Sequence, residues 1–68
     1  MVTVHVTGIT RLNHKVKGKI IAVDFTWPGG GSTIYVADRG QSDRDAINEA
    51  VAKLRQLLRK EVEVAMNG

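Results

Sequence analysis

A chain of 68 residues with a formal net charge of +3 and 43% hydrophobic residues has room for one core, and so for a single domain over 1–68. With no cysteine, disulfides, a thiolate nucleophile and a zinc–thiolate site are all excluded, and packing or self-association has to stabilise the fold. No apolar run approaches the ~20 residues of a membrane span, and the opening residues read as a strand rather than a signal peptide, so a cytoplasmic protein with no membrane partner is expected.

Residues 2–7, Val-Thr-Val-His-Val-Thr, alternate apolar and polar with β-branched residues dominant, which predicts a first strand with Val2, Val4 and Val6 facing inward. From Ile9 to Gly18 the alternation is lost, and the segment reads as a basic connection with strand extensions at its ends. Alternation returns from Lys19 to Trp27, placing Ile21, Val23, Phe25 and Trp27 inward and Ile20, Ala22, Asp24 and Thr26 outward. Pro28-Gly29-Gly30-Gly31 reads as a hairpin loop, since proline lacks the ladder donor and glycine weakens a strand interior. A third strand is expected from about Ser32 to Ala37, with Ile34 and Val36 inward and Thr33 and Tyr35 outward.

Ser42 followed by Asp43 and Asp45 has the form of a helix N-cap with an acidic first turn. Ile47, Ala50, Val51, Leu54, Leu57 and Leu58 then fall on one helical stripe that covers the sheet. Val62 and Ala65 extend that stripe, which predicts a helix continuing to Met66 and about 36 Å long. Such a helix overhangs the sheet and leaves Val62 and Met66 for a partner. The alternative is a fourth strand, because Glu61-Val62-Glu63-Val64 also alternates, although no glycine or proline separates it from Leu58. The fold class is α+β in the order β-β-β-α: an antiparallel sheet of three strands, four if the helix stops early, packed on one C-terminal amphipathic helix.

Charge is unevenly placed. Residues 1–23 hold Arg11, Lys15, Lys17 and Lys19 without one acidic residue, whereas the remainder carries six basic and seven acidic residues. This group, with His14 among it, points to a polyanionic partner whose phosphates it would contact. Tyr35 is expected on the open sheet face, where it can stack on a base, and His5 shares that face. Ile20 and Ala22 are outward-facing and apolar, which suggests a covering partner such as a second subunit; Trp27, at the sheet margin, is a further interface candidate. His5 and His14 lack a neighbouring ligand at metal-site spacing, so no metal is expected. Asp24 and Asp38 are the one carboxylate pair that the hairpin could bring together, and the glycines after Pro28 precede a strand rather than a helix, so they do not form a phosphate loop.

Over residues 18–58 the strand-then-helix order, with Gly40-Gln41-Ser42 and then Ala46, Ala50 and Leu58, resembles the later part of the double-stranded-RNA-binding-domain family. Where that family grips phosphate with lysines at the helix start, this chain has Asp43, Arg44 and Ile47. The order also resembles the three-stranded sheet-and-helix modules at the start of some phage integrases, which implies DNA reading through the sheet. Two functions compete: a nucleic-acid-binding module using Arg11, His14, Lys15, Lys17, Lys19 and Tyr35, and a homodimeric protein-interaction module such as a small inhibitor or antitoxin-like regulator. No nucleophile–base pair or cofactor loop marks an enzyme, and no cofactor is expected.

Overall fold

The computed structural model describes residues 1–65. Its elements in chain order are β1 (Val2–His14), β2 (Gly18–Trp27), β3 (Gly30–Ala37), α1 (Asp43–Leu58) and β4 (Val62–Ala65). They form one four-stranded sheet in the order β3-β2-β1-β4. The first three strands pair antiparallel as neighbours, and β4 joins β1 in parallel. Strands β3 and β4 thus run in the same direction at opposite edges, and α1 is the crossover between them. The expected α+β class and β-β-β-α order stand, with β4 added after the helix.

The core lies between the sheet and α1. Val4, Ile21, Val23 and Phe25 meet Ala46, Ala50, Val51 and Leu54, all of them buried. Val62 of β4 is buried in the same cluster, so it is a core residue rather than an interface one. Met66 lies outside the described residues.

The segment expected to be a basic connection is mostly strand. Between Val6, opposite Phe25, and Gly8, opposite Asp24, the register shifts by one residue, the signature of a β-bulge at Thr7-Gly8. Beyond it the alternation resumes with reversed parity, so Ile9 and Arg11 take the helix side while Thr10, Leu12 and His14 take the open side. Glycine there leaves room for the Asp24 carboxylate, since a Cβ on Gly8 would stand 2.9 Å from Asp24 Oδ2 and displace it. The glycine tract is also more ordered than a loop. Pro28 and Gly29 alone form the turn, Gly29 at φ +89° in the position where a proline-led turn demands positive φ. Gly30 and Gly31 are already paired with Trp27 and Thr26, and Gly30 leaves room for the Trp27 indole, whose Nε1 a Cβ would meet at 2.9 Å.

Ser42 caps α1, its side chain accepting from Asp45 N at 3.1 Å. The helix ends at Leu58 rather than Met66 because Arg59 turns left-handed, at φ 54° and ψ 40°, and its N–H donates to Arg55 O at 2.8 Å. That conformation replaces the glycine whose absence favoured the longer helix. A left-handed L-residue costs roughly 1–2 kcal/mol, partly offset by the extra chain entropy glycine would carry when unfolded. Arg59→Gly is therefore expected to stabilise the fold by about 1 kcal/mol, raising Tm by roughly 4–8 °C in a thermal melt. An unchanged or lower Tm would contradict a strained cap.

The same helix reaches both sheet edges. Asp38 N donates to Lys19 O, which sets the antiparallel ladder so that Tyr35 and Ala37 turn their backbone groups away from β2. Lys53 Nζ donates to Tyr35 O at 2.9 Å, and Gln41 Nε2 to Ala37 O at 2.8 Å. At the opposite edge Val2 N donates to Glu61 O, so Val62 turns its backbone groups away from β1, and Arg55 Nη2 donates to Val62 O at 3.1 Å.

Candidate functional site

The structure divides the basic group between two faces. Arg11, placed on the helix side by the bulge, donates to Asp38 Oδ1 at 3.0 Å, Gln41 O at 2.7 Å and Asp43 Oδ1 at 2.9 Å. Its hydrogen bond to Asp43 raises the guanidinium pKa above its ordinary value, with the Asp38 charge acting in the same sense against the cost of desolvation. Arg11 therefore ties β1 to the β3–α1 loop, and its charge is matched by two carboxylates. The loop is closed further by Arg39 bonding Glu49, and by Gln41 Nε2 donating to Glu49 Oε2 at 2.8 Å. Those two contacts, Arg39 first, lower the Glu49 pKa against the opposing effect of burial.

Lys15, Val16 and Lys17 form the exposed turn between β1 and β2, with Gly18 at φ +79° closing it. His14 organises this turn: its Nδ1 accepts from both Val16 N and Lys17 N at 3.1 Å. A neutral imidazole has one acceptor and one donor, so Nε2 is left to carry the ring proton outward. Lys15, Lys17 and Lys19 are exposed, and no carboxylate among the described residues forms an ion pair with them.

On the open face, register sets Thr10, Ala22 and Tyr35 side by side, and Leu12 beside Ile20 one pair nearer the turn. Tyr35 is 47% exposed. The Lys17 ammonium lies 5.8 Å from its ring centroid, within the reach of a cation–π contact. Leu12, His14, Lys17, Ile20 and Tyr35 enclose a shallow hollow of about 210 Å³. This is smaller than the ~300–1,000 Å³ of a pocket that engulfs a small ligand, so it suits the face or edge of a planar group. Four of the six residues expected to contact nucleic acid, His14, Lys15, Lys17 and Tyr35, thus gather at one end of the face or on the adjoining turn. Lys19 flanks them from the helix side, and Arg11 does not join them.

Residues expected at a partner interface are dispersed. Ile20 and Ala22 are outward-facing as expected but buried, 5% and 8% exposed, because Leu12 and Tyr35 flank them across the strands. The face shields its own apolar centre. His5 pairs with Thr26, four residues along β2 from Ala22, and so about 13 Å from the Tyr35 level. Trp27 is half-buried against the core margin. A larger hollow, about 540 Å³, lies between α1 and β4. Its lining sets one cation, Arg55, against two carboxylates, Glu61 and Glu63, which disfavours an anion.

Asp24 lies opposite Thr33, whereas Asp38 lies beyond the Ile20–Ala37 pair and is held by Arg11, so the two carboxylates are not brought together. Among the described residues no three His, Asp or Glu side chains group as a metal site, and no helix is long and apolar enough to cross a membrane. Leu12 was not legible as a site residue: without the bulge at Gly8 it counts onto the wrong face. Comparison with protein-family models, characterised proteins and solved structures returns no match.

Proposed function

We propose that this protein binds nucleic acid through the β1–β2 turn and the adjoining end of the open sheet. Lys15, Lys17 and Lys19 contact phosphates, and Tyr35 meets a base. The observation that carries this reading is the juxtaposition of an exposed aromatic ring with a lysine over it, beside two further lysines that no carboxylate neutralises. Cations supply the sequence-independent part of such affinity, and a ring adds stacking. The competing reading, a homodimeric interaction module, drew on Ile20 and Ala22 as exposed apolar residues and on Val62 as overhang; all three are buried within one chain.

Three phosphate contacts give a slope of log affinity against log salt of about −2 on a single strand and nearer −3 on a duplex. The test is a fluorescence-anisotropy titration of mixed-sequence single- and double-stranded oligonucleotides over a salt series. The parent is expected to show such a slope, and the Lys15→Glu, Lys17→Glu, Lys19→Glu variant to lose binding by at least tenfold at low salt. Failure of both oligonucleotides to bind at low salt, with a monodisperse folded protein, would reject the reading.

A further inference from the structure

The open face carries a carboxylate where a phosphate-binding surface has no use for one. Asp24 stands near the middle of β2, half-buried, with its side chain on the same side as Tyr35. It is held in place from two sides. Thr33 Oγ1 donates to Asp24 Oδ1 at 2.5 Å, and Oδ2 occupies the space above Gly8, where a Cβ would stand only 2.9 Å away. No cation among the described residues pairs with it. A fixed, unpaired carboxylate repels phosphate and accepts hydrogen bonds only, so whatever approaches it has to present donors, which on a base are N–H groups.

Its position says which N–H groups. Asp24 is two residues from Ala22, the cross-strand partner of Tyr35, and so about 6.6 Å along the strand. A nucleic acid with its backbone at the lysine turn and one base on the Tyr35 ring would direct that base, or its neighbour, towards Asp24. Resting on the nucleic-acid reading above, we infer that the open face takes single-stranded nucleic acid, and that Asp24 selects bases with an exocyclic amine, cytosine, adenine and guanine, over thymine and uracil. Cytosine N4, adenine N6 and guanine N2 donate to a carboxylate, whereas thymine and uracil have no amine and offer a lone N3–H flanked by O2 and O4, which set acceptor against acceptor. The single strand follows from Tyr35, since a paired and stacked base has no free face for a ring.

The test compares short dC, dA and dT homopolymers and a mixed-sequence duplex by anisotropy at one salt concentration. The parent is expected to bind dC and dA about tenfold more tightly than dT, the size of one good base-edge contact, and all three more tightly than the duplex. Asp24→Asn, whose amide can also donate to O4, is expected to abolish the preference by gaining affinity for dT. Thr33→Val keeps the charge but frees the carboxylate, and should weaken the preference; circular dichroism checks that both variants fold. If no oligonucleotide binds the parent, the nucleic-acid reading falls and this inference with it. Oligonucleotide binding with duplex preferred, without base preference, or with a preference that survives Asp24→Asn overturns this inference alone. Equal tightening towards all three homopolymers in Asp24→Asn would also overturn it, showing a carboxylate that merely repels the backbone.

Discussion

Leu54→Ala is expected to leave most of the chain unfolded at 25 °C, or close to its unfolding midpoint. Leu54 is the largest fully buried side chain of α1, facing a sheet surface built from Ile21, Val23 and Phe25. Of its helical neighbours on that face, Ala46 and Ala50 are fully buried and too short to fill the space, which leaves Val51 and Leu58 beside it. Truncating a buried leucine costs about 2–5 kcal/mol, towards the upper end where the site cannot collapse. A domain of this length holds only about 3–10 kcal/mol in total. Urea unfolding followed by far-UV circular dichroism measures the loss directly. Leu57→Ala, at a position 65% exposed, supplies the contrast and should change stability by no more than about 0.5 kcal/mol. If the two variants melted alike, the core assignment of the helix face would be wrong.

Replacing both Lys53 and Arg55 with methionine is expected to convert the protein to a self-associating form. These residues sit two apart on α1 and reach to opposite sides, Lys53 to Tyr35 O on the β3 edge and Arg55 to Val62 O on the β4 edge. Outward carbonyls on an edge strand are templates for another strand, and a charged side chain over them is a common block. Methionine keeps the stem and the helix propensity but removes donor and charge. Two lost hydrogen bonds lower stability by about 1–3 kcal/mol, and the exposed edges then pair between molecules. Sedimentation or light scattering over a concentration series should show a mass that rises with concentration more steeply than the parent's. The same exchange at Arg44 and Lys60, which hold no edge carbonyl among the described residues, controls for lost charge. Equal behaviour of the two double variants would sink the edge-guarding role.

Much of this fold is legible in the chain because local pattern and tertiary burial agree. Val2, Val4 and Val6, then Ile21, Val23 and Phe25, then Ile34 and Val36 alternate as half-buried strands do, and each set lies on the helix side or against the core. Ser42 announces the helix, and its side chain does cap Asp45 N. Two element boundaries fail for a shared cause, a local irregularity that side-chain pattern does not announce. The Thr7-Gly8 bulge inverts the faces of everything from Ile9 to His14, which is why a continuous strand reads as an irregular connection. Arg59 adopts the left-handed form that propensity reserves for glycine, so the helix stop is invisible and Val62 counts into the wrong element. Of the site, the charge asymmetry and Tyr35 are visible in the sequence. Pairing is not: the sequence does not reveal that Arg11 is consumed by Asp38 and Asp43, nor that Leu12 and Tyr35 shelter Ile20.

The bulge also divides the β1–β2 hairpin into two parts with separate obligations. Behind it, Val4 and Val6 answer to the helix; ahead of it, Leu12, Asn13 and His14 are exposed and answer to nothing in the core. The distal hairpin is in effect a boom whose length is an adjustable dimension. Adding two residues to each arm between Leu12–Ile20 and His14–Gly18 preserves every face while advancing the lysine turn by about 6.6 Å, the span of roughly two phosphates along one strand of a duplex. A lineage or a designer can therefore reposition the lysine turn without touching the machinery that folds the domain.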